Sequence, residues 1–223
     1  MGREIEIKIP LTDAQYDFIH DVIFGKESVA DVTVLGNCEH ILKSDEYYSR
    51  YNSREESKKA GEPQVIRIRC EEEVESGTAR KVGTYEAGVG TGGGNPSSAR
   101  RAFFCIKRKS IENGIELNRE DETFVENVDV IRDILTLSGY HKFFEKKKDA
   151  FGVYCKSGVL DGADFHLELE VVNALKYIEV EVTDEGVPAD TVRTALEKFI
   201  ALFGLDAGKR DSRSWMQILG ELR

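Results

Sequence analysis

The sequence lacks any long apolar run. Its 223 residues contain no stretch of about 18 consecutive apolar residues, the length that indicates a membrane-spanning helix. The chain also starts with a charged segment, where a signal peptide would have a basic residue followed by an apolar stretch. We therefore expect a protein without a membrane segment, located in the cytoplasm.

Cysteine and histidine are also scarce. The four cysteines are Cys38, Cys70, Cys105 and Cys155, which lie far apart and form no Cys-x-x-Cys pair. This spacing supports neither a zinc site nor a disulfide framework, so we expect reduced thiols. The four histidines form no spaced cluster, and we predict that they are surface or core residues and not ligands.

Positive charge is in deficit. The chain has 31 lysines and arginines against 41 acidic residues, a net charge of −10 and a pI near 5.1. Proteins that bind nucleic acids or anionic membranes usually carry a basic surface. The composition therefore argues against both kinds of partner, and a polyanion would have to be bound locally.

The first segment with a clear pattern is residues 3–9. Side chains alternate between the two faces of a strand, so Glu4, Glu6 and Lys8 share one face. The opposite face consists of isoleucines. A single solvated edge strand would look the same, and the pattern gains weight because it recurs.

Later predicted strands also separate charged from apolar residues. The charged faces carry Arg67 with Arg69, Lys107, Lys146 with Lys148, Glu168 with Glu170, and Glu179 with Glu181. Helical spacing of apolar residues predicts amphipathic helices over 14–24, 126–138 and 188–202, and a short final helix over 213–222. The polar segment 52–63 is predicted as a loop.

This pattern favours an α+β fold in which an antiparallel sheet closes into a barrel or tunnel. The helices would cover the apolar outer faces, and the charged faces would meet inside. Charges in such a lumen must be wet, mutually neutralised or bound to ligands. Lysine and arginine bind anionic oxygen, and carboxylates bind Mg²⁺ or Mn²⁺. A metal-bound polyphosphate would satisfy both, and we expect one domain over residues 1–223.

Several motifs resemble a known family. The segment Glu4-x-Glu6-x-Lys8 is similar to the ExExK signature of the CYTH group of triphosphate tunnel metalloenzymes, which includes class IV adenylate cyclases, thiamine triphosphatases and inorganic triphosphatases. Further similar strands follow in order at Ile66-Arg67-Ile68-Arg69, Cys105-Ile106-Lys107, Glu145-Lys146-Lys147-Lys148 and Tyr177-Ile178-Glu179-Val180-Glu181. Segments 138–140 and 211–215 resemble the class IV cyclase branch.

The resemblance implies an eight-stranded antiparallel β-barrel, or tunnel, that binds a triphosphate. By position, the phosphate-binding residues would be Lys8, Arg67, Arg69, Lys107, Lys146 and Lys148, with Arg119 aligned only loosely. The metal ligands for Mg²⁺ or Mn²⁺ would be Glu4, Glu6, Glu168, Glu170, Glu179 and Glu181. Two residues depart from the family pattern, because Lys148 stands where arginine is usual and Glu170 where aspartate is common.

The resemblance leaves three functions open. A triphosphatase acting on tripolyphosphate, thiamine triphosphate or a nucleoside triphosphate is favoured by Arg69 and by the paired Glu-x-Glu strands. A class IV adenylate cyclase, converting ATP to cyclic AMP and pyrophosphate, is favoured by the terminal helix. The third is a non-catalytic polyphosphate-binding module. Pairing of two chains into a homodimer is also left open.

Three local predictions complete the analysis. The glycine-rich segment 75–98 lacks the Gly-Lys-Ser/Thr of a nucleotide loop, and its composition predicts a mobile hairpin loop between about residues 75 and 100. Trp215 is predicted as a packing anchor in preference to a base-stacking residue. Asp121 and Glu122 are predicted to be solvated.

Overall fold

The computed structural model describes residues 3–62, 64–74, 100–112, 115–184 and 187–221. The predicted mobile loop of residues 75–98 lies outside them. The strands are β1 (Arg3–Pro10), β2 (Thr33–Ser49), β3 (Val65–Glu73), β4 (Arg100–Glu112), β5 (Ile115–Phe124), β6 (His141–Lys156), β7 (Phe165–Val172) and β8 (Leu175–Asp184). The helices are α1 (Asp13–Ile23), α2 (Arg54–Lys59), α3 (Val128–Leu137), α4 (Ala189–Leu202) and α5 (Trp215–Gly220), with a 3₁₀ helix at Ala207–Lys209.

The eight strands form one closed sheet in the order β1-β5-β4-β3-β2-β6-β7-β8. All neighbours are antiparallel, and β8 returns to pair with β1 along its full length, with Lys8 opposite Glu179. The eight-stranded antiparallel fold with covering helices is thus confirmed. Closure matters for the site because it directs one face of every strand into a common interior.

The isoleucine face of β1 explains the main hydrophobic core. Ile5, Ile7 and Ile9 point outward and are almost completely buried beneath α1 and α4. Each such side chain contributes about 1.5 to 3 kcal/mol by leaving water. The ring of Phe199 on α4 stacks on that of Phe165 on β7, with 4.1 Å between centroids. The outer face of the sheet is therefore the apolar one.

Helix α3 covers a smaller part of the outer face, whereas α5 packs against the inward face of β8, which Tyr177 shares with Glu179. Helix α3 buries Leu135 against Ile68, and α5 buries Trp215 and Leu219 against Tyr177. The described part of the chain contains no helix with the length and apolar character that crossing a membrane requires. A cytoplasmic location stays a prediction from the sequence.

Two helices differ from the prediction. Helix α2 lies within the segment predicted as a loop, where Ser53 accepts a hydrogen bond from the backbone N–H of Glu56 and begins a helix of six residues. Helix α5 is shorter than predicted and is capped by Ser214, whose side chain and that of Gln217 form a capping box. Both helices border the cavity described next.

Candidate functional site

The closed sheet encloses a cavity of about 920 Å³. Its walls are the inward faces of the strands, and residues of α2 and α5 contribute to the lining. The structure brings together most of the residues singled out from the sequence. Those that line the cavity are Glu4, Glu6, Lys8, Arg67, Arg69, Lys107, Lys146, Lys148, Glu168, Glu179 and Glu181.

Two predicted residues do not line the cavity. Glu170 shares the inward face of β7 with Glu168 but is fully buried there, in contact with Lys148. Arg119 points away from the interior: its side chain is 63% exposed and lies 4.0 Å from Asp121. The reason is the alternation along β5, which turns Glu120 inward and its neighbour outward. The structure therefore does not place Arg119 in the candidate site.

Three predicted metal ligands form a compact group. Each of Glu168, Glu170 and Glu179 offers a carboxylate oxygen within 4.8 Å of the others. The ammonium group of Lys148 lies among them, 3.4 Å from Glu168 and 3.0 Å from Glu179, and it also contacts Glu170. We call Lys148 and these three glutamates the carboxylate cluster.

Burial and charge divide the carboxylates of this cluster. Burial, together with the negative charge of Glu179, raises the pKa of Glu170 to about 8. Burial alone would also raise the pKa of Glu179, but Lys148 and Lys8 hold it well below its usual range. One carboxyl group of the cluster therefore readily takes up a proton, and another stays ionised.

The donors of the carboxylate cluster fit a divalent cation. Carboxylate oxygens are the ligands that Mg²⁺ and Mn²⁺ prefer. In the described part of the structure, neither oxygen of Glu170 has a hydrogen-bond partner, although Lys148 contacts one of them. The other predicted ligands lie apart from this group: Asn118 donates to Glu6 over 2.9 Å, and His166 Nδ1 lies 3.0 Å from Glu181 Oε1.

Asp45 is a site residue that the sequence analysis missed. It is completely buried and accepts two hydrogen bonds from Arg69, at 2.7 and 3.0 Å, while Lys146 lies 3.5 Å away. Burial would raise its pKa, but Arg69 and Lys146 hold that pKa well below the usual range. The available signal was the alternation on β2, which places Lys43, Asp45 and Tyr47 on one face.

A second ionic group occupies β3, β4 and β5. Arg67 lies 2.9 Å from Glu120 and 3.3 Å from Glu122, and Lys107 lies 2.7 Å from Glu120. Glu122 is exposed, in agreement with the solvated position predicted for it, and it also lines the cavity. Burial, with the nearby charges of Glu181 and Glu120, raises the pKa of Glu4 to about 7.

Trp215 and His166 were predicted to have structural roles. Trp215 packs edge-on against Tyr177, with 4.8 Å between ring centroids, and is 7% exposed, so the prediction of a packing anchor is confirmed. Both Trp215 and His166 also line the cavity. For His166 the alternation along β7 indicated this position, because it shares a face with Glu168. No local pattern indicated it for Trp215, whose position depends on how α5 packs against the sheet.

Comparison with known proteins identifies the fold. No family model and no curated protein matches the sequence. A protein of Pyrococcus horikoshii has a similar solved structure, with a TM-score of 0.65, 18% identity and 99% coverage of both chains. A candidate adenylate cyclase from Vibrio parahaemolyticus has a TM-score of 0.60 and 17% identity over 98% of both chains.

A third similar structure carries a reported activity. It is a candidate adenylyl cyclase from Hippeastrum, described as having a dominant triphosphatase activity, with a TM-score of 0.56 and 12% identity over 100% of this chain and 97% of that one. At these identities the likeness is one of fold. It confirms the closed eight-stranded antiparallel fold that the sequence motifs imply.

Proposed function

We propose that this protein is a divalent-metal-dependent phosphohydrolase that binds a triphosphate in its tunnel. The substrate would be inorganic tripolyphosphate or an organic triphosphate such as thiamine triphosphate or a nucleoside triphosphate. The observation that carries the proposal is the convergence of six cationic side chains on one cavity, from Lys8, Arg67, Arg69, Lys107, Lys146 and Lys148.

The geometry of the cavity supports a polyphosphate ligand. Its volume of about 920 Å³ lies within the range of ligand pockets, about 300 to 1,000 Å³. The cations come from β1, β3, β4 and β6, so they surround the interior on several sides. Charge-assisted hydrogen bonds from such groups to phosphate oxygens are about twice as strong as neutral ones.

The carboxylate cluster would hold the metal. A bound divalent cation supplies charge neutralisation on the phosphoryl oxygens and a site that orients water. The lysines and arginines would bind the non-bridging oxygens and stabilise the charge that moves to the leaving phosphate. Glu4, Glu6 and Glu181 form the adjoining acidic wall and would take part in cation binding from the other side.

An adenylate cyclase activity is the second candidate. It is supported by the likeness to the candidate cyclase of Vibrio parahaemolyticus and by Phe143, Phe144 and Trp215, which line the cavity and offer apolar surface to a base. In that reaction the ribose 3′-hydroxyl attacks the α-phosphorus and pyrophosphate leaves. Binding of polyphosphate without catalysis is the third candidate.

One assay separates these functions. Tripolyphosphate, thiamine triphosphate and ATP are each offered with Mg²⁺, with Mn²⁺ and with a chelator, and phosphate, pyrophosphate and cyclic AMP are measured separately. We expect phosphate release that requires a divalent cation. Cyclic AMP with pyrophosphate would replace this proposal by the cyclase, and tight binding without any product would replace it by the binding module.

A matched pair of variants links the activity to the tunnel. Lys146 is buried and faces the cavity, while its neighbour Lys147 is exposed on the outer face. Lys146→Ala should lose most of the phosphate release, and Lys147→Ala should retain it. Equal activity of the two variants would show that the reaction takes place elsewhere.

A further inference from the structure

Trp215 lines the cationic side of the cavity, although it belongs to a helix and not to the sheet. It is the first residue of α5, and its ring lies near three ammonium groups that come from two different strands. The Nζ atoms of Lys8, Lys146 and Lys148 are 5.1, 5.6 and 5.9 Å from the ring centroid. All three distances are within the range of cation–π attraction, about 6 Å.

The other polar contact of Trp215 is to a carboxylate. Its indole N–H donates a hydrogen bond to Oε1 of Glu179 over 3.3 Å, while Oε2 of Glu179 accepts one from Lys148 over 3.0 Å. One side chain therefore touches the cationic group through its face and the carboxylate cluster through its edge.

The position of the ring is fixed by contacts on its outer side. Tyr177 packs against it, and the hydroxyl group of Tyr177 donates to Asp211 over 3.1 Å. The backbone N–H of Asp211 donates to the carbonyl of Lys8 over 2.8 Å, and Lys8 Nζ donates to the carbonyl of Arg213 over 2.7 Å. The segment before α5 is thus tied to the end of β1, so the ring and Lys8 are held together.

The face of an aromatic ring can hold three neighbouring lysines close together and still leave them able to bind a polyanion. Three buried ammonium groups repel one another, and burial together with the charge of Lys148 lowers the pKa of Lys146 to about 7. Carboxylates also relieve this repulsion, since Asp45 lies 3.5 Å from Lys146 and the three glutamates contact Lys148, but these groups compete with phosphate for the lysines. A ring face attracts each cation through its quadrupole and leaves the positive charge available.

We propose that Trp215 is a positioning residue of the triphosphate site. Its ring face gathers the three lysines into one phosphate-binding group, and its indole N–H orients Glu179 of the carboxylate cluster. This inference rests on the proposed function, since it assigns the residue a role in triphosphate binding.

The sequence offers a direct test, because Trp215 is the only tryptophan in the chain. Protein produced with monofluorinated or trifluorinated tryptophan changes this one side chain, and each fluorine withdraws electron density from the ring face with little change in volume. We expect the affinity for tripolyphosphate, measured by calorimetry without metal, to fall with each added fluorine. The whole series should span about two- to thirtyfold, the range of one cation–π contact.

A substitution tests the indole N–H separately. Trp215→Phe keeps an aromatic face and removes the donor to Glu179. We expect the metal concentration for half-maximal phosphate release to rise by about three- to tenfold, the value of roughly one hydrogen bond. Metal-free tripolyphosphate binding should change less than it does in the trifluorinated protein.

The control for a merely structural role is Leu219→Ala. Leu219 is buried on the same helix against the same small core. This variant should lower the melting temperature and leave metal-free tripolyphosphate affinity unchanged. If it weakens binding as much as the changes at Trp215 do, the role of the tryptophan is structural and the inference is wrong.

The remaining outcomes separate this inference from the proposed function. If the unmodified protein binds tripolyphosphate and the fluorinated forms bind it with equal affinity, the positioning role is overturned and the function stands. If the unmodified protein binds no tripolyphosphate, the proposed function fails and the positioning role fails with it.

Discussion

The contact of Lys148 with three carboxylates leads to a prediction about stability. The side chain is 4% exposed and contacts all three of Glu168, Glu170 and Glu179, whereas Lys43 contacts Glu168 alone. Lys148→Met keeps the length and apolar character of the side chain and removes the charge. The three carboxylates then face one another without the ammonium group that holds them.

The magnitude follows from the burial of the cluster. Removing one partner of a buried ion pair costs about 3 to 5 kcal/mol, because the remaining charge is left uncompensated. Protonation of Glu170 offsets part of this cost, since its pKa is already about 8. A group whose pKa is higher in the folded state favours folding at low pH and loses that contribution as pH rises through the folded value. We therefore expect a loss near 3 kcal/mol at pH 6 that grows towards pH 9.

Urea unfolding with and without Mn²⁺ measures both effects. A metal ion that binds only the folded chain stabilises it by about 2.7 kcal/mol at a hundredfold excess over its dissociation constant. In the wild type the ion must compete with Lys148 for the same oxygens, so Mn²⁺ should stabilise Lys148→Met more than the wild type. Lys147→Met, on the exposed outer face, is the control and should behave as the wild type.

Two results would refute this reasoning. The first is a loss of stability in Lys148→Met as small as that in Lys147→Met, which would mean that the carboxylates are hydrated or protonated without the lysine. The second is an equal effect of Mn²⁺ on the wild type and on Lys148→Met, which would mean that the ion binds outside the carboxylate cluster.

Three further predictions concern the roles of single residues. Lys107→Ala should weaken tripolyphosphate binding by about ten- to a hundredfold, the value of one charge-assisted hydrogen bond. Glu179→Ala should lower turnover and leave metal-free tripolyphosphate binding equal or tighter. Equal weakening of metal-free binding by both variants would contradict this division of roles. Because the pKa of Lys146 is about 7, tripolyphosphate binding at pH 8 should take up about one proton, seen as buffer-dependent enthalpy in calorimetry and absent in Lys146→Met. Asp45→Asn should lower the free energy of unfolding by roughly 3 to 5 kcal/mol near pH 7, because Arg69 and Lys146 lose a buried partner. The pKa of Asp45 is held well below its usual 3.8, so this contribution is complete above about pH 4 and is lost only as pH falls further through the lower folded value. The stabilities of variant and wild type should therefore approach each other only in that acid range.

The alternation of side chains along the strands predicted which residues face the interior of the sheet. Glu4, Glu6 and Lys8 could be assigned to one face because the period of a strand is two, and closure of the sheet then brought such faces together. The same argument placed Arg67, Arg69 and the lysine pair of β6 in the lumen. These predictions depended only on local geometry and on the need to bury the apolar faces.

The residues that were missed depend on pairing between strands. In the sequence, Asp45 belongs to an alternating polar face of β2 that looks like that of any solvated strand. Only the register of β2 with β3 and β6 places it opposite Arg69 and Lys146. Arg119 shows the opposite error, because it was assigned from a loose resemblance, whereas the alternation along β5 turns Glu120 inward and Arg119 outward. Register between distant strands is set by the whole sheet, so a local pattern does not determine it.

The balance of charge in the cavity has a consequence for binding. Among the described lining residues, nine are lysine or arginine and nine are glutamate. Such a lumen is neutralised by its own ion pairs and has no large excess of positive charge to attract a free triphosphate. A triphosphate that binds Lys148 in place of the three glutamates leaves these carboxylates with Lys43, beside Glu168, as their remaining contact to a lysine in the described structure. A metal ion that binds the carboxylates leaves Lys148 without these partners.

Binding both together avoids the two costs, because phosphate replaces the carboxylates around the lysine while the cation replaces the lysine among the carboxylates. Under the proposed function, metal and triphosphate therefore bind cooperatively. Linkage requires that Mg²⁺ raises the affinity for tripolyphosphate by the same factor by which tripolyphosphate raises the affinity for Mg²⁺. The coupling arises because Lys148 exchanges its carboxylate partners for phosphate when metal and triphosphate bind together. In Lys148→Met this exchange cannot take place, so the factor by which Mg²⁺ raises the affinity for tripolyphosphate should be smaller than in the wild type.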